Sequence, residues 1–76
     1  MHFKRKDTDY GAYRELLKDG KRVRGWVEQL SPEGSEAYGG DFYYAYGCPS
    51  KVERTADIYI CKTLEQARKE IVENLL

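Results

Sequence analysis

The stretch that decides the fold is Tyr10–Leu30, YGAYRELLKDGKRVRGWVEQL. Asp19-Gly20 sits between two runs that alternate in polarity, and Asp-Gly is a strong signal for a two-residue hairpin turn. With those two residues as the turn, Lys18 faces Lys21, Leu16 faces Val23, Glu15 faces Arg24, Tyr13 faces Trp26 and Ala12 faces Val27. One side of the hairpin then collects Ala12, Leu16, Val23 and Val27. The other collects Tyr13, Glu15, Leu17, Arg22, Arg24, Trp26 and Glu28. Glu15 with Arg24 and Tyr13 with Trp26 are favourable cross-strand pairs, each worth about 0.2–1 kcal/mol. A helix over Tyr10–Lys18, capped by Thr8 or Asp9 and stopped by Gly20, is the competing reading, because Glu15-Leu16-Leu17-Lys18 are good helix formers.

Downstream, Ser31–Gly40 contains Ser-Pro, Glu-Gly and Gly-Gly and reads as a loop. Asp41–Tyr46 reads as a strand with Phe42, Tyr44 and Tyr46 on one side and Tyr43 and Ala45 on the other. Gly47–Arg54 is a turn or loop. Thr55–Lys62 reads as a strand with Ala56, Ile58 and Ile60 inward and Asp57, Tyr59 and Cys61 outward. The clearest helix is Thr63–Leu76. Thr63 and Gln66 make a capping box, and Leu64, Ala67, Ile71, Val72 and Leu75 form an apolar stripe. Upstream, residues 1–9 are polar and aperiodic and read as a flexible arm, leaving 10–76 as one domain. The expected architecture is α+β: an antiparallel meander of three to four strands with the C-terminal helix on one face. The expected core is Leu16, Val23, Val27, Ile58, Ile60, Leu64, Ala67 and Ile71.

Composition narrows the function. The 76 residues carry 13 Lys plus Arg and 13 Asp plus Glu, so the net charge is zero. That disfavours a general polyanion binder, whose affinity comes from neutralising phosphates. No apolar run is long enough for a membrane span or a signal peptide, so the expected setting is the cytoplasm, without a membrane partner. The two cysteines, Cys48 and Cys61, read as free thiols rather than a disulfide. Neither has the spacing of a zinc site, and the only histidine is His2, in the arm. A nucleophile–base pair, a phosphate-cradling glycine loop and a paired-carboxylate site are all missing from the sequence pattern. The expectation is a protein without enzymatic activity, cofactor or metal.

The seven tyrosines are the anomaly. On the hairpin register above, the sheet face away from the helix carries Tyr13, Arg22, Arg24, Trp26, Tyr43 and Tyr59. Trp, Tyr and Arg dominate protein-binding hot spots, and bases also stack on such surfaces. A protein partner is the leading expectation and a DNA or RNA partner the alternative, with Trp26 partly exposed at the centre of the face.

Thr55–Lys62 running into Thr63-Leu64-Glu65-Gln66-Ala67 is similar to the end of HicB-type antitoxins, where a strand leads into a helix of that kind. The layout also resembles the arm-binding domain of tyrosine recombinases, whose sheet enters a DNA groove. In length, charge balance and hairpin-plus-helix layout, the whole chain looks like small phage-encoded anti-CRISPR and other anti-defence proteins. That resemblance implies an inhibitor that occupies a surface of a host complex in the host cytoplasm.

Overall fold

In the computed structural model, the Asp-Gly segment does make a hairpin, and the helical reading of Tyr10–Lys18 gives way to strand β2, Arg14–Asp19, paired with β3, Arg22–Gln29. The structure describes residues 1–47 and 57–76. The remaining described elements are β1 (His2–Arg5), α1 (Pro32–Tyr38), β4 (Phe42–Tyr46), β5 (Tyr59–Cys61) and α2 (Leu64–Leu75). The sheet is antiparallel and five-stranded, in the order β1-β2-β3-β4-β5, with α2 packed across one face. The α+β class holds, with five strands in place of three to four. The additional strand is β1, inside the stretch read as an arm. It is held by pairing His2, Phe3, Lys4 and Arg5 with Lys18, Leu17, Leu16 and Glu15.

The hairpin register differs from the one the turn signal suggests. Asp19 pairs with Arg22, so Gly20 and Lys21 form the loop, and Gly20 takes the positive φ of 61°. Lys18 then pairs with Val23, but Leu17 pairs with Gly25, leaving Arg24 as an extra residue in β3. Such a bulge reverses the facing of everything beyond it relative to an uninterrupted strand. Leu16 therefore lies opposite Trp26, and Glu15 opposite Val27.

Paired residues share a face, so the register sorts the sheet. Towards α2 lie Phe3, Leu17, Gly25 and Tyr46 in one row and Glu15, Val27, Tyr44 and Tyr59 in the next. Leu17, Val27, Tyr44 and Cys61 are buried there against Ala67 and Ile71 of the helix. Gly25 makes room for that contact: a β-carbon on it would lie 2.6 Å from Ile71 Cγ2. Away from α2 lie Lys4, Leu16, Trp26 and Ala45, followed by Arg14, Glu28, Tyr43 and Ile60.

Four residues expected in the core are displaced by this sorting. Leu16 and Val23 are only half-buried, and they face away from the helix because the bulge gives the inward positions to Leu17 and Gly25. Ile58 and Ile60 are exposed. β5 pairs Cys61 with Phe42 and Tyr43 with Ile60, which turns Cys61 inward and Ile60 outward, the reverse of the expected parity. Val27, Ala67 and Ile71 are buried as expected, and Leu64 packs at the core's edge.

Ser31–Gly40, read as a loop, contains α1. Ser31 Oγ accepts from the Gly34 N–H at 3.1 Å, Pro32 takes the first helical position, and Gly39 at φ 77° ends the helix. At the other helix, Thr63 Oγ1 accepts from the Gln66 N–H at 3.1 Å, and Gln66 Oε1 accepts from the Lys62 N–H, much as the capping box requires. Among the described residues no helix is long and apolar enough to cross a membrane.

Candidate functional site

Two charged residues that the sequence places side by side serve opposite faces of the sheet. Glu15 points towards α2, where Arg68 Nε donates to its Oε1 at 2.8 Å and Arg68 Nη2 and the Tyr13 hydroxyl donate to Oε2. The Arg68 guanidinium beside it holds the Glu15 carboxyl below the usual carboxylate range. Arg14 points the other way. Its Nε and Nη2 donate to Glu28 Oε1 at 2.9 and 2.7 Å. Glu28 Oε2 accepts from the hydroxyls of both Tyr10 and Tyr43. Glu15 and Glu28 are both buried, at 4% and 2% exposed. Burying a carboxylate is costly unless it is paired and hydrogen-bonded, and each of these has an arginine and at least one phenol. Three of the seven tyrosines are thus engaged as donors to buried acids. Burial and the bond to Glu28 push the Tyr43 phenol far above its ordinary value, and the same two causes raise Tyr10.

Beside the Glu28 cluster, the sheet face opens into a groove of about 560 Å³ lined by Leu30, Tyr38, Tyr43, Ile58 and Ile60. The Tyr43 ring is one wall. Its position is fixed by the Glu28 bond and by an edge-on contact with Trp26, ring centroids 5.3 Å apart at 86°. The other walls come from the ends of elements. Leu30 closes β3, its N–H donating to the Asp41 carbonyl at 2.8 Å, and α1 brings Tyr38 round to the same side. Tyr38, Ile58 and Ile60 are 66%, 46% and 39% exposed, unusual for large apolar side chains that adjoin one another.

Comparison of the chain with protein-family models, with curated proteins and with solved structures found no match. The residues expected to form one contact face divide between the two sides of the sheet. Trp26 and Tyr43 do come together on the face away from α2. Trp26 is buried rather than partly exposed, at 4%. Tyr43 covers one of its edges and the Arg14 guanidinium lies 6.0 Å from its ring. Tyr13 bonds Glu15 on the helix side, with Arg5 stacked 4.7 Å over its ring. Tyr59 also lies on the helix side of β5, stacked on Tyr44 and Tyr46 at 5.5 Å each. The hydrogen bond with Tyr46 pushes its phenol up to about 12. Arg22 pairs with Asp19 at the hairpin end, and the Arg24 guanidinium lies 4.0 Å from the Asp19 carboxylate.

The groove residues Leu30, Tyr38, Ile58 and Ile60 are not part of the contact face expected from the sequence. Ile58-Tyr59-Ile60 carries a signal, two isoleucines of one parity, but it can be read only once the facing of β5 is known. Among the described residues, no three His, Cys, Asp or Glu side chains are placed to hold a metal ion. Cys61 is a buried free thiol whose Sγ donates to the Thr63 carbonyl, and burial pushes its pKa up. Cys48, the other half of the thiol reading, lies outside the described residues.

Proposed function

We propose that this chain is a non-enzymatic protein-binding module that uses the groove between α1 and the β4–β5 corner. The observation that carries the reading is the adjoining exposure of Tyr38, Ile58 and Ile60 around the fixed Tyr43 ring. A groove with aromatic and aliphatic walls on a rigid sheet suits an anchor side chain from another protein. The finer part of the proposal is that the partner is a larger host complex and that occupancy inhibits it, which rests on the resemblance of the sequence layout to small anti-defence proteins.

The test uses two substitutions that leave the core untouched, Tyr38→Ser and Ile60→Ser. A protein that co-purifies with the native chain should be lost with the double variant, while circular dichroism and melting temperature stay close to native. Retention of that protein by the folded variant would move the contact elsewhere. A second reading, contact with nucleic acid, draws on the cations Lys18, Lys21, Arg22 and Arg24 around the β2–β3 turn. It calls for DNA and RNA binding at low salt with a steep salt slope. The absence of such binding removes it.

A further inference from the structure

The zero net charge conceals a separation along β3. Its start, at the hairpin turn, is flanked by Lys18, Lys21, Arg22 and Arg24, with Asp19 as the acidic residue among them. Its end, eight residues later, leads into Leu30 and the groove. At about 3.3 Å per residue the two ends are roughly 25 Å apart, more than twice the screening length of physiological salt. They therefore present separate fields to a partner.

In its described residues the groove end is acidic. From Ser31 to Gly47 and from Asp57 to Cys61 the chain contains Glu33, Glu36, Asp41 and Asp57, and no Lys or Arg. All four carboxylates are exposed. Glu33 and Glu36 lie on α1 with the groove residue Tyr38, and Asp57 adjoins the groove residue Ile58. Asp41 accepts from the Ser35 hydroxyl of α1. Arg14, on the same sheet face, is held in two bonds by Glu28. Among the described residues, the segments that supply the apolar floor thus carry four exposed carboxylates that no ion pair satisfies.

We infer that the groove takes a cationic protein segment, one that seats an aliphatic or aromatic side chain on Tyr43, Ile58 and Ile60 and sets Lys or Arg against the acidic rim. This rests on the reading of the groove as a protein-binding face and adds the chemistry of its occupant. Apolar contacts on the floor supply affinity, while rim charges select the partner and set its rate of approach. The same rim repels phosphates, so a nucleic-acid strand belongs at the hairpin end of the molecule rather than here.

Three fluorescein-labelled peptides test the inference by anisotropy. One alternates Leu and Phe with Lys, the second carries Glu for each Lys, and the third Ser for each Lys. The Lys peptide should bind about tenfold more tightly than the Ser peptide at low salt, and the Glu peptide most weakly. Half-molar salt should erase most of that ranking, as should Glu33→Gln, Glu36→Gln and Asp57→Asn combined. Ile60→Ser should weaken all three peptides alike. Equal affinity for the three, still abolished by Ile60→Ser, overturns the cationic preference and keeps the groove. Tight binding of the Lys peptide that ignores Ile60→Ser overturns both. A Lys peptide that fails to bind at low salt also overturns the inference, and the co-purification experiment then decides the groove on its own. A change of the native chain alone to a dimer at working concentration, blocked by the rim substitutions, would replace the proposed partner with the cationic hairpin of a second copy.

Discussion

Gly25 and Ile71 are packed backbone against side chain: a β-carbon at position 25 would lie 2.6 Å from Ile71 Cγ2 and 3.0 Å from the Ala45 carbonyl oxygen. The helix can approach the sheet this closely only because position 25 has no side chain. Gly25→Ala should therefore destabilise the fold by about 1–3 kcal/mol through overpacking. Shortening the partner should relieve part of the strain. In the Gly25→Ala/Ile71→Ala pair, denaturant midpoints should show a smaller loss than the two single costs added together. Additive costs would mean that helix and sheet do not meet at this point.

The register of β2 beside that contact depends on a feature the sequence shows poorly. The existence of the hairpin, the Phe42–Tyr46 strand with its facing, and the capped helix after Thr63 are legible, because each rests on local chemistry or a clean period, although the loop is Gly20-Lys21 and not Asp19-Gly20. The bulge at Arg24 rests on neither. It lets Gly25 and Val27 both face α2, a parity an unbroken strand also allows, while moving their partners from β2 by one further residue. The hairpin and the side taken by Trp26 and Tyr43 therefore follow from the sequence, whereas Leu17 rather than Leu16 faces the helix. α1 is hard to see in the sequence for a different reason. Ser31-Pro32 and Gly39 are ordinary start and stop signals, but a seven-residue helix with no buried residue leaves no apolar period between them. The candidate groove was the least legible part, since it is assembled from the ends of four elements.

Trp26 reports on the packing of the sheet face away from α2. Trp26 is 4% exposed, and among the described residues its Nε1 has no hydrogen-bond partner. Native fluorescence should be blue-shifted and should move to the red on unfolding. Trp26→Ala should cost about 3–5 kcal/mol, enough to unfold most of a domain this small. Trp26→Phe should cost much less, because it keeps an aromatic ring against Tyr43.

Ile60 and Cys61 form a second parity test. Ile60→Ala should change stability by less than about 1 kcal/mol, since the side chain is 39% exposed on the face away from α2. Cys61→Asp should be strongly destabilising, because it places a carboxylate against Ala67 and Ile71 without a partner. Thermal melts of the two variants decide the facing of β5, and the opposite order would turn the strand over.

The Glu15–Arg68 pair predicts a pH dependence with a definite sign. The folded state holds the Glu15 carboxyl below its unfolded value, with Arg68 as the main cause. The pair's contribution is then complete above the ordinary carboxylate range and is lost as pH falls through the folded-state value. Arg68→Met should cost about 1–3 kcal/mol at neutral pH, because it leaves a buried carboxylate with Tyr13 as its remaining donor. That cost should shrink as the solution is acidified below about pH 4, where protonation removes the stranded charge. A cost that is constant from pH 7 to pH 3 would assign the effect to lost packing of Arg68 over Phe3 instead.

The tyrosines around Glu28 work at the other end of the pH scale. Tyr43 is raised far above the ordinary phenol, chiefly by burial and then by its bond to Glu28, and Tyr10 is raised for the same reasons. In the unfolded chain these phenols ionise near pH 10, whereas in the folded chain they remain protonated. Their contribution is therefore complete below pH 10 and falls away above it, because the unfolded state alone releases protons there. Tyrosinate absorbance from Tyr43 should appear together with the loss of circular dichroism, as one alkaline unfolding step. Tyr43→Phe should cost about 1–2 kcal/mol at neutral pH, where it takes one of the three donor groups from a buried carboxylate. Above pH 10 the penalty should narrow, since the variant has no Tyr43 proton for the unfolded chain to lose. Ionisation of every tyrosine near pH 10 with the fold intact would mean that Tyr43 is solvated, and that Glu28 does not anchor the wall of the groove.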